Sequence, residues 1–338
     1  MTKIFNKSMN RRQMLGNLGM MGAGAALTAC SSVIAQPDQD QDVDAGILTF
    51  ALNLEYLEAA FYLAAVGRLD ELPGGDAEVM LPAGFDGSTA VDFAAGGANP
   101  MASAALAAYA NELANEELAH TVFLRSALSS AGVDVSRPAI NLASSFETAA
   151  TVAFAGVDPT TVGLPADFTP ADFNPFANGA FFAHGAFIFE DVGVTAYKGA
   201  ARYITNPDFL AAAAGILASE AYHAGTIRTF LHIGDVSLLD FYGGLNTHAI
   251  TQAISDARDS LDGTTDLDQG IADAGGETGG EANIAVTDAN GIAFSRTPAQ
   301  VAAIVYLSAD VAVSANSFFP AGINTAGLDD DFDFLLGL

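Results

Sequence analysis

Glutamate is costly to bury, yet this sequence plants one near the middle of each of four long apolar segments. Residues 100–130 carry Glu117-Leu118-Ala119-His120, and residues 207–234 carry Glu220-Ala221-Tyr222-His223. Glu-x-x-His on a helix puts both side chains one turn apart on one face, so that a single rigid element can grip one cation. The other two segments repeat a different pair: Glu55 with Tyr62, and Glu190 with Tyr197, each seven residues or two turns apart. The chain therefore runs through a Glu/Tyr helix and a Glu-x-x-His helix, twice. Four carboxylates in apolar surroundings are tolerated only when they are paired or metal-bound, which requires the four helices to face one another.

The helix boundaries support a bundle. Apolar residues at Ile47, Leu48, Ala51, Leu52, Leu54, Leu57, Ala60 and Phe61 predict a first helix over Asp44–Gly67, with Asp44 as its cap. Asn99-Pro100, Asn174-Pro175 and Asn206-Pro207 give three more start signals, because Asn accepts from first-turn amides and Pro lacks only an amide that would be unpaired there. They predict helices from Pro100 to about Ser130, Pro175 to about Ile204, and Pro207 to Gly234. At about 1.5 Å per residue these are roughly 30–45 Å long. A turn joins the last two, which makes them antiparallel neighbours, whereas about 40 residues separate the second and third, enough for a crossover along the bundle. Residues 67–98 read as an insertion. Beyond Gly234 the expectations are an amphipathic helix over Thr247–Leu261, a Gly/Asp-rich loop over 262–295, a short helix capped by Thr297, and an acidic tail at Asp329–Asp333 that frays.

The fold class expected is thus all-α: an up-down four-helix bundle over 43–240, with a long crossover between helices 2 and 3. An irregular extension with short helices, 241–338, is expected to pack on it. Residues 1–35 read as a leader instead. Lys3, Lys7 and Arg11-Arg12 precede an apolar stretch, Met14–Ala29, too short to span a bilayer. That pattern is a twin-arginine export signal, which implies the twin-arginine machinery as a partner and a periplasmic or outer-membrane destination. Leu27-Thr28-Ala29-Cys30 resembles a lipobox, with Cys30 as the lipidated residue and only membrane anchor. Cleavage after Ala35, behind Val33-Ile34, is the rival. Cys30 is the chain's one cysteine, so no disulfide forms within it.

Charge excludes whole classes of partner. The chain has 12 basic and 40 acidic residues, and removing the leader leaves eight basic residues against the same 40. Such a surface repels nucleic acid and suits cations and a salty habitat. Of the acids only 12 are Glu, and seven of those fall in the helical stretches.

One Glu from each of two helices and Glu-x-x-His from each of two others is the ligand set of ferritin-like di-iron carboxylate proteins. Two divalent ions about 4 Å apart repel, and bridging carboxylates offset that repulsion. Hard oxygens with two imidazoles suit iron first and manganese second. The expected ligands are Glu55, Glu117, His120, Glu190, Glu220 and His223, with Glu117 and Glu220 bridging and Glu58 as the alternative to Glu55. Tyr62 and Tyr197 are read as redox-active or as core residues bonded to a ligand, and Glu116 and Asp191 as candidates to orient an imidazole. His184 reads as structural, while His232 and His248 show no partner. Asp266-x-Asp268-x-Gly270 with Glu277 faintly echoes a calcium loop, but its glycine is one position early.

Residues 46–66, the two Glu-x-x-His motifs, Arg296–Val301 with Ile304–Tyr306, and Phe318–Asn324 together resemble the exported ferritin-like domain family that includes desiccation-related proteins. The likeness spans about 43–325. It implies a ferritin-like bundle with a two-metal centre and a role in stress, but no defined reaction; the insertion and the long tail argue against a storage cage. The functions expected are redox chemistry on Fe2+, O2 or peroxide, a non-catalytic stress protein with a structural metal site, or a manganese catalase-like dismutase, against which Glu220 argues. The partners are metal ions, small oxidants and, as a homodimer, a second copy of the chain.

Overall fold

The computed structural model describes residues 43–95, 99–234, 244–272 and 282–338. The leader, with Arg11, Arg12, Cys30 and Ala35, lies outside them, as does Glu277. Among the described residues, eight α-helices run in the order α1 (Asp44–Ala65), α2 (Pro100–Ser130), α3 (Ser144–Ala153), α4 (Gly179–Ala200), α5 (Pro207–Gly234), α6 (Thr247–Asp262), α7 (Pro298–Val305) and α8 (Asp329–Leu336). The bundle is α1, α2, α4 and α5. Helix α1 packs along α2, and α4 packs along α5.

Two of the three Asn-Pro signals open helices directly. Asn99 Oδ1 accepts from the amides of Met101 (3.0 Å) and Ala102 (3.5 Å), and Asn206 Oδ1 from that of Asp208 (2.8 Å). The third does not. Asn174 takes the Phe176 amide to close a turn, and α4 begins four residues later, where Asn178 Oδ1 accepts from the Phe181 amide at 2.9 Å. Asp44 also differs from its expected role: its two carboxylate oxygens accept from the amides of Thr205 (2.7 Å) and Asn206 (2.8 Å), clamping the α4–α5 turn to the start of α1.

Burial separates the helices into two kinds. In α1, 19 of 22 residues are buried and in α4, 18 of 22, against 9 of 31 in α2 and 9 of 28 in α5. Helices α1 and α4 are therefore covered on every side, which is why their sequences are apolar all round. Helix α1 is long and apolar enough to cross a membrane, but 89% of its apolar window is buried in the bundle. The cover comes from the crossover and the C-terminal extension, so that α2 and α5 form the open side. Phe61 sits at the centre of an aromatic core, stacked on Phe182 at 5.4 Å and edge-on to Phe189 and Tyr62.

The extension is more ordered than its sequence suggests. The crossover contains α3, and its two-residue strand β2 (Ile140–Asn141) pairs in parallel with β1 (Val79–Met80) of the insertion. Thr297 and Gln300 form a reciprocal capping box on α7. The acidic tail is the first turn of α8, where Asp329, Asp330 and Asp331 complement the helix dipole while Phe332 and Leu335 are buried.

Three arginines bind the extension to the bundle. Arg228 of α5 donates to Asp191 of α4 at 2.7 Å, and Arg258 of α6 reaches the same Asp191 oxygen at 3.0 Å and also pairs with Asp268. Arg296 is 1% exposed and holds Asp262 (2.7 Å), Asp268 and the Thr195 hydroxyl (2.8 Å). Asp268 is thereby a buried ion-pair partner of both Arg258 and Arg296.

Candidate metal centre

The six expected ligands converge in the middle of the bundle. Two overlapping groups each bring their ligand atoms within 4.8 Å of one another: Glu55, Glu117, His120 and Glu220 in one, and Glu117, Glu190 and His223 in the other. Helical spacing places them. Glu117 and His120 point inward from successive turns of α2, Glu220 and His223 do so from α5, and Glu55 and Glu190 come from the enclosed helices. His120 Nδ1 lies 3.3 Å from Glu55, 3.4 Å from Glu117 and 3.8 Å from Glu220. His223 Nδ1 lies 3.0 Å from Glu117 and 3.5 Å from Glu190. Both imidazoles thus present the same nitrogen to the carboxylates.

Glu117 is the one residue common to both groups. Glu220, expected as a second bridge, falls only with Glu55, Glu117 and His120. On α4, a Cβ at Gly193 would overlap Glu220 Oε2, so the carboxylate occupies the space that the missing side chain leaves. Glu58 falls in neither group, whereas Glu55 falls in the first. Both are buried, and Glu58 lines a cavity of about 20 Å³ with Phe189, Gly193 and Phe318.

The tyrosines cross over. Tyr62 of α1 donates to Glu190 of α4, and Tyr197 of α4 donates to Glu55 of α1. Each hydroxyl thus orients the opposite carboxylate, and not the glutamate on its own helix. Glu116, half exposed, accepts from His223 Nε2 at 2.5 Å. Asp191 does not touch an imidazole, because Arg228 and Arg258 occupy it. His184 bonds the Ala180 carbonyl through Nδ1 at 2.8 Å, and burial pulls its pKa down to about 4, as fits a neutral core residue. His232 and His248, which had no partner in the sequence reading, lie against each other at 3.1 Å.

Electrostatics makes the cluster a store of protons when the chain is alone. Burial raises Glu55 to about 7, helped by the charge of Glu117. It pushes Glu58 and Glu220 well above the carboxylate range, and raises Glu190 as well. Glu117 goes the other way: burial opposes its charge, but the two imidazoles beside it hold it below the usual range. Burial also disfavours charge on the histidines, yet Glu117 and Glu55 lift His120 to about 10, and Glu190 and Glu117 raise His223.

The fit to metal rests on atoms left over. Glu55 Oε2, Glu117 Oε1, Glu190 Oε2, both carboxylate oxygens of Glu220 and His223 Nδ1 are buried without a hydrogen-bond partner. Buried polar atoms are nearly always satisfied, and these six face one another. Carboxylate oxygens with imidazole nitrogens form a hard, borderline donor set that suits divalent iron or manganese.

The ferritin-like domain family matches residues 43–232, more than half of the chain, and the chain belongs to that family. It is similar to desiccation-related protein PCC13-62 of Craterostigma plantagineum, with 29% identity over 293 residues that cover 81% of this chain and 82% of the relative. No solved structure matches it at a significant level.

Proposed function

From this family membership and the carboxylate–imidazole cluster, we propose that the chain is a stress protein holding two transition-metal ions, iron or manganese, and that these serve redox chemistry on Fe2+, O2 or peroxide. The observation that carries this is the set of six buried, unpartnered ligand atoms. One ion would take Glu55, Glu117, His120 and Glu220, the other Glu117, Glu190 and His223, with Glu117 between them. Such a pair would supply one-electron steps. The chain's own residues set the conditions. Tyr62 and Tyr197 hold Glu190 and Glu55 in place, and burial excludes bulk water. Loading would require Glu55, Glu220 and the histidines to release the protons that burial and their neighbours favour. The reading also takes the folded chain across the inner membrane by the twin-arginine route, with Cys30 at its mature start or, after cleavage behind Ala35, Gln36.

The test is metal analysis of the natively purified mature chain. About two Fe or Mn per chain, lost in Glu117→Ala, support the centre; no transition metal from metal-replete cells would sink it. Oxygen uptake with Fe2+ and gas release from peroxide then distinguish an oxidase from a catalase-like reaction. The desiccation-related relative favours a second reading, in which the ions only brace the bundle. Two tightly bound ions that raise Tm but give neither reaction would establish that one.

A further inference from the structure

The centre is built on an internal two-fold repeat. Helices α1 and α4 have 22 residues each and correspond at an offset of 135, taking Glu55 to Glu190, Tyr56 to Asp191 and Tyr62 to Tyr197. Helices α2 and α5 correspond at an offset of 103, taking Glu117 to Glu220, His120 to His223 and Arg125 to Arg228. The repeat extends to contacts outside the ligands. Arg125 donates to the Tyr56 hydroxyl at 2.6 Å, and Arg228, its counterpart, to Asp191 at 2.7 Å.

Two positions at the centre break the repeat. Glu58 corresponds to Gly193, which lets Glu220 settle against α4. Glu116 corresponds to Ser219. Glu116 reaches across from α2 to the Nε2 of His223, whereas a serine is too short to do the same for His120 from α5. We propose that the centre holds its two ions unequally, with Glu116 making the ion at His223 the tightly held one and leaving the ion at His120 exchangeable.

The chemistry follows from where each proton sits. With Glu116 on Nε2, the neutral His223 ring would keep its proton on that nitrogen and offer the Nδ1 lone pair to a cation, which the neighbouring carboxylate oxygens of Glu117 and Glu190 would also ligate. The carboxylate also makes the imidazole more basic and fixes its plane, and such partners typically change metal affinity by about 10- to 100-fold. His120 has no equivalent at position 219, and its side chain is 12% exposed against 2% for His223, so an ion held there would lie nearer to solvent. Glu116 is thus a positioning residue, acting on the metal through His223. Its side chain is 44% exposed, so that Gln, which has the same shape, leaves the fold undisturbed.

This inference rests on the two-ion reading above, and one titration separates their failures. Mn2+ is added to the metal-free full chain, and free Mn2+ is counted by its six-line electron paramagnetic resonance signal. The wild type is expected to fill in two unequal steps. Glu116→Gln should weaken the tighter step by about 10- to 100-fold and leave the other in place. Ser219→Glu, which restores the missing counterpart, should strengthen the weaker step. Two equal steps in the wild type, or a Glu116→Gln effect spread over both or absent, would overturn the inequality while keeping the two-ion centre. A wild type that takes up no Mn2+ overturns both.

Discussion

Gly193→Ala separates the stability of the bundle from that of the centre. At an ordinary helix-interior position this change adds about 0.5–1 kcal/mol, because alanine loses less conformational freedom on folding. Position 193 is not ordinary, since the new methyl falls on Glu220 Oε2. The atom it meets is the end of a side chain, so the conflict can be relieved by moving the carboxylate. In the metal-free chain that movement costs little. Burial and the neighbouring carboxylates, Glu58 first, hold Glu220 in its neutral form, and displacing a neutral carboxyl strands no charge. The metal-free melting temperature should therefore hold or rise by about 2 °C, at roughly 2–4 °C per kcal/mol for a body of this size.

The loaded protein should respond in the opposite way. An ion present at about 100 times its dissociation constant stabilises the fold by about 2.7 kcal/mol, and the ion that needs Glu220 loses most of this when the carboxylate is pushed aside. Thermal melts by circular dichroism, with and without excess Mn2+, measure both terms. The expected result is an unchanged metal-free melt and a metal-induced shift cut by roughly half. Two observations would refute the reasoning: a wild-type metal shift in Gly193→Ala, which removes Glu220 from the ligand set, or a metal-free melt lowered by about 10 °C or more, which means that the backbone and not Glu220 gives way.

Other outcomes follow from the same geometry. Glu55 rises from 4.5 to about 7 and His120 from 6.5 to about 10, so both bind their protons more tightly in the folded chain. Their stabilisation of metal-free protein is complete below the unfolded values and is lost as pH rises through about 7 and then about 10; melts should fall from about pH 5 to about pH 9. Metal-loaded protein should show the reverse slope, because the ion competes with those protons. Tyr62→Phe and Tyr197→Phe should retain two ions while each loses about 1–3 kcal/mol of loaded stability, as Glu190 or Glu55 gives up a partner; Fe2+ oxidation abolished with both ions retained would assign the hydroxyls a redox role. Arg296→Met should cost about 3–5 kcal/mol by leaving Asp262 and Asp268 buried and uncompensated, read as a lower denaturant midpoint. Arg11→Lys with Arg12→Lys should hold the chain in the cytoplasm, as followed by cell fractionation; unaltered export would remove the twin-arginine signal.

What the sequence makes legible is what repeats at helical spacing. The four long helices and their inward glutamates show because each lies in a run of apolar residues long enough to have a period. Asn174-Pro175 misleads because a second asparagine, Asn178, stands one turn later and caps the real helix, which begins at Gly179. Helix α3 is hidden because ten residues with only Ser145, Phe146 and Ala150 buried carry almost no periodic signal. The tail at Asp329 looks frayed when only its acids are read; the buried Phe332 and Leu335, three apart, are the signal that was available. The crossing of Tyr62 to Glu190 and Tyr197 to Glu55 is a fact of packing between helices, and spacing along one helix says nothing of it.

The least legible feature is also the one that joins the extension to the centre. Only eight basic residues follow the leader, and three of them, Arg228, Arg258 and Arg296, lie buried among Asp191, Asp262 and Asp268. Their partners are 10 to 67 residues away in sequence, so no local pattern announces them. Yet Asp191 is the residue after Glu190, and Arg228 stands eight residues, just over two turns, after Glu220. The Arg228–Asp191 pair therefore ties together the two helices that supply those ligands, and Arg258 adds the extension to the same carboxylate. In the other half, Arg125 and Tyr56 make the matching tie between α2 and α1 without help from the extension. Carboxylates that must meet an ion within a few tenths of an ångström need helices that do not slide. The extension supplies that restraint between α4 and α5.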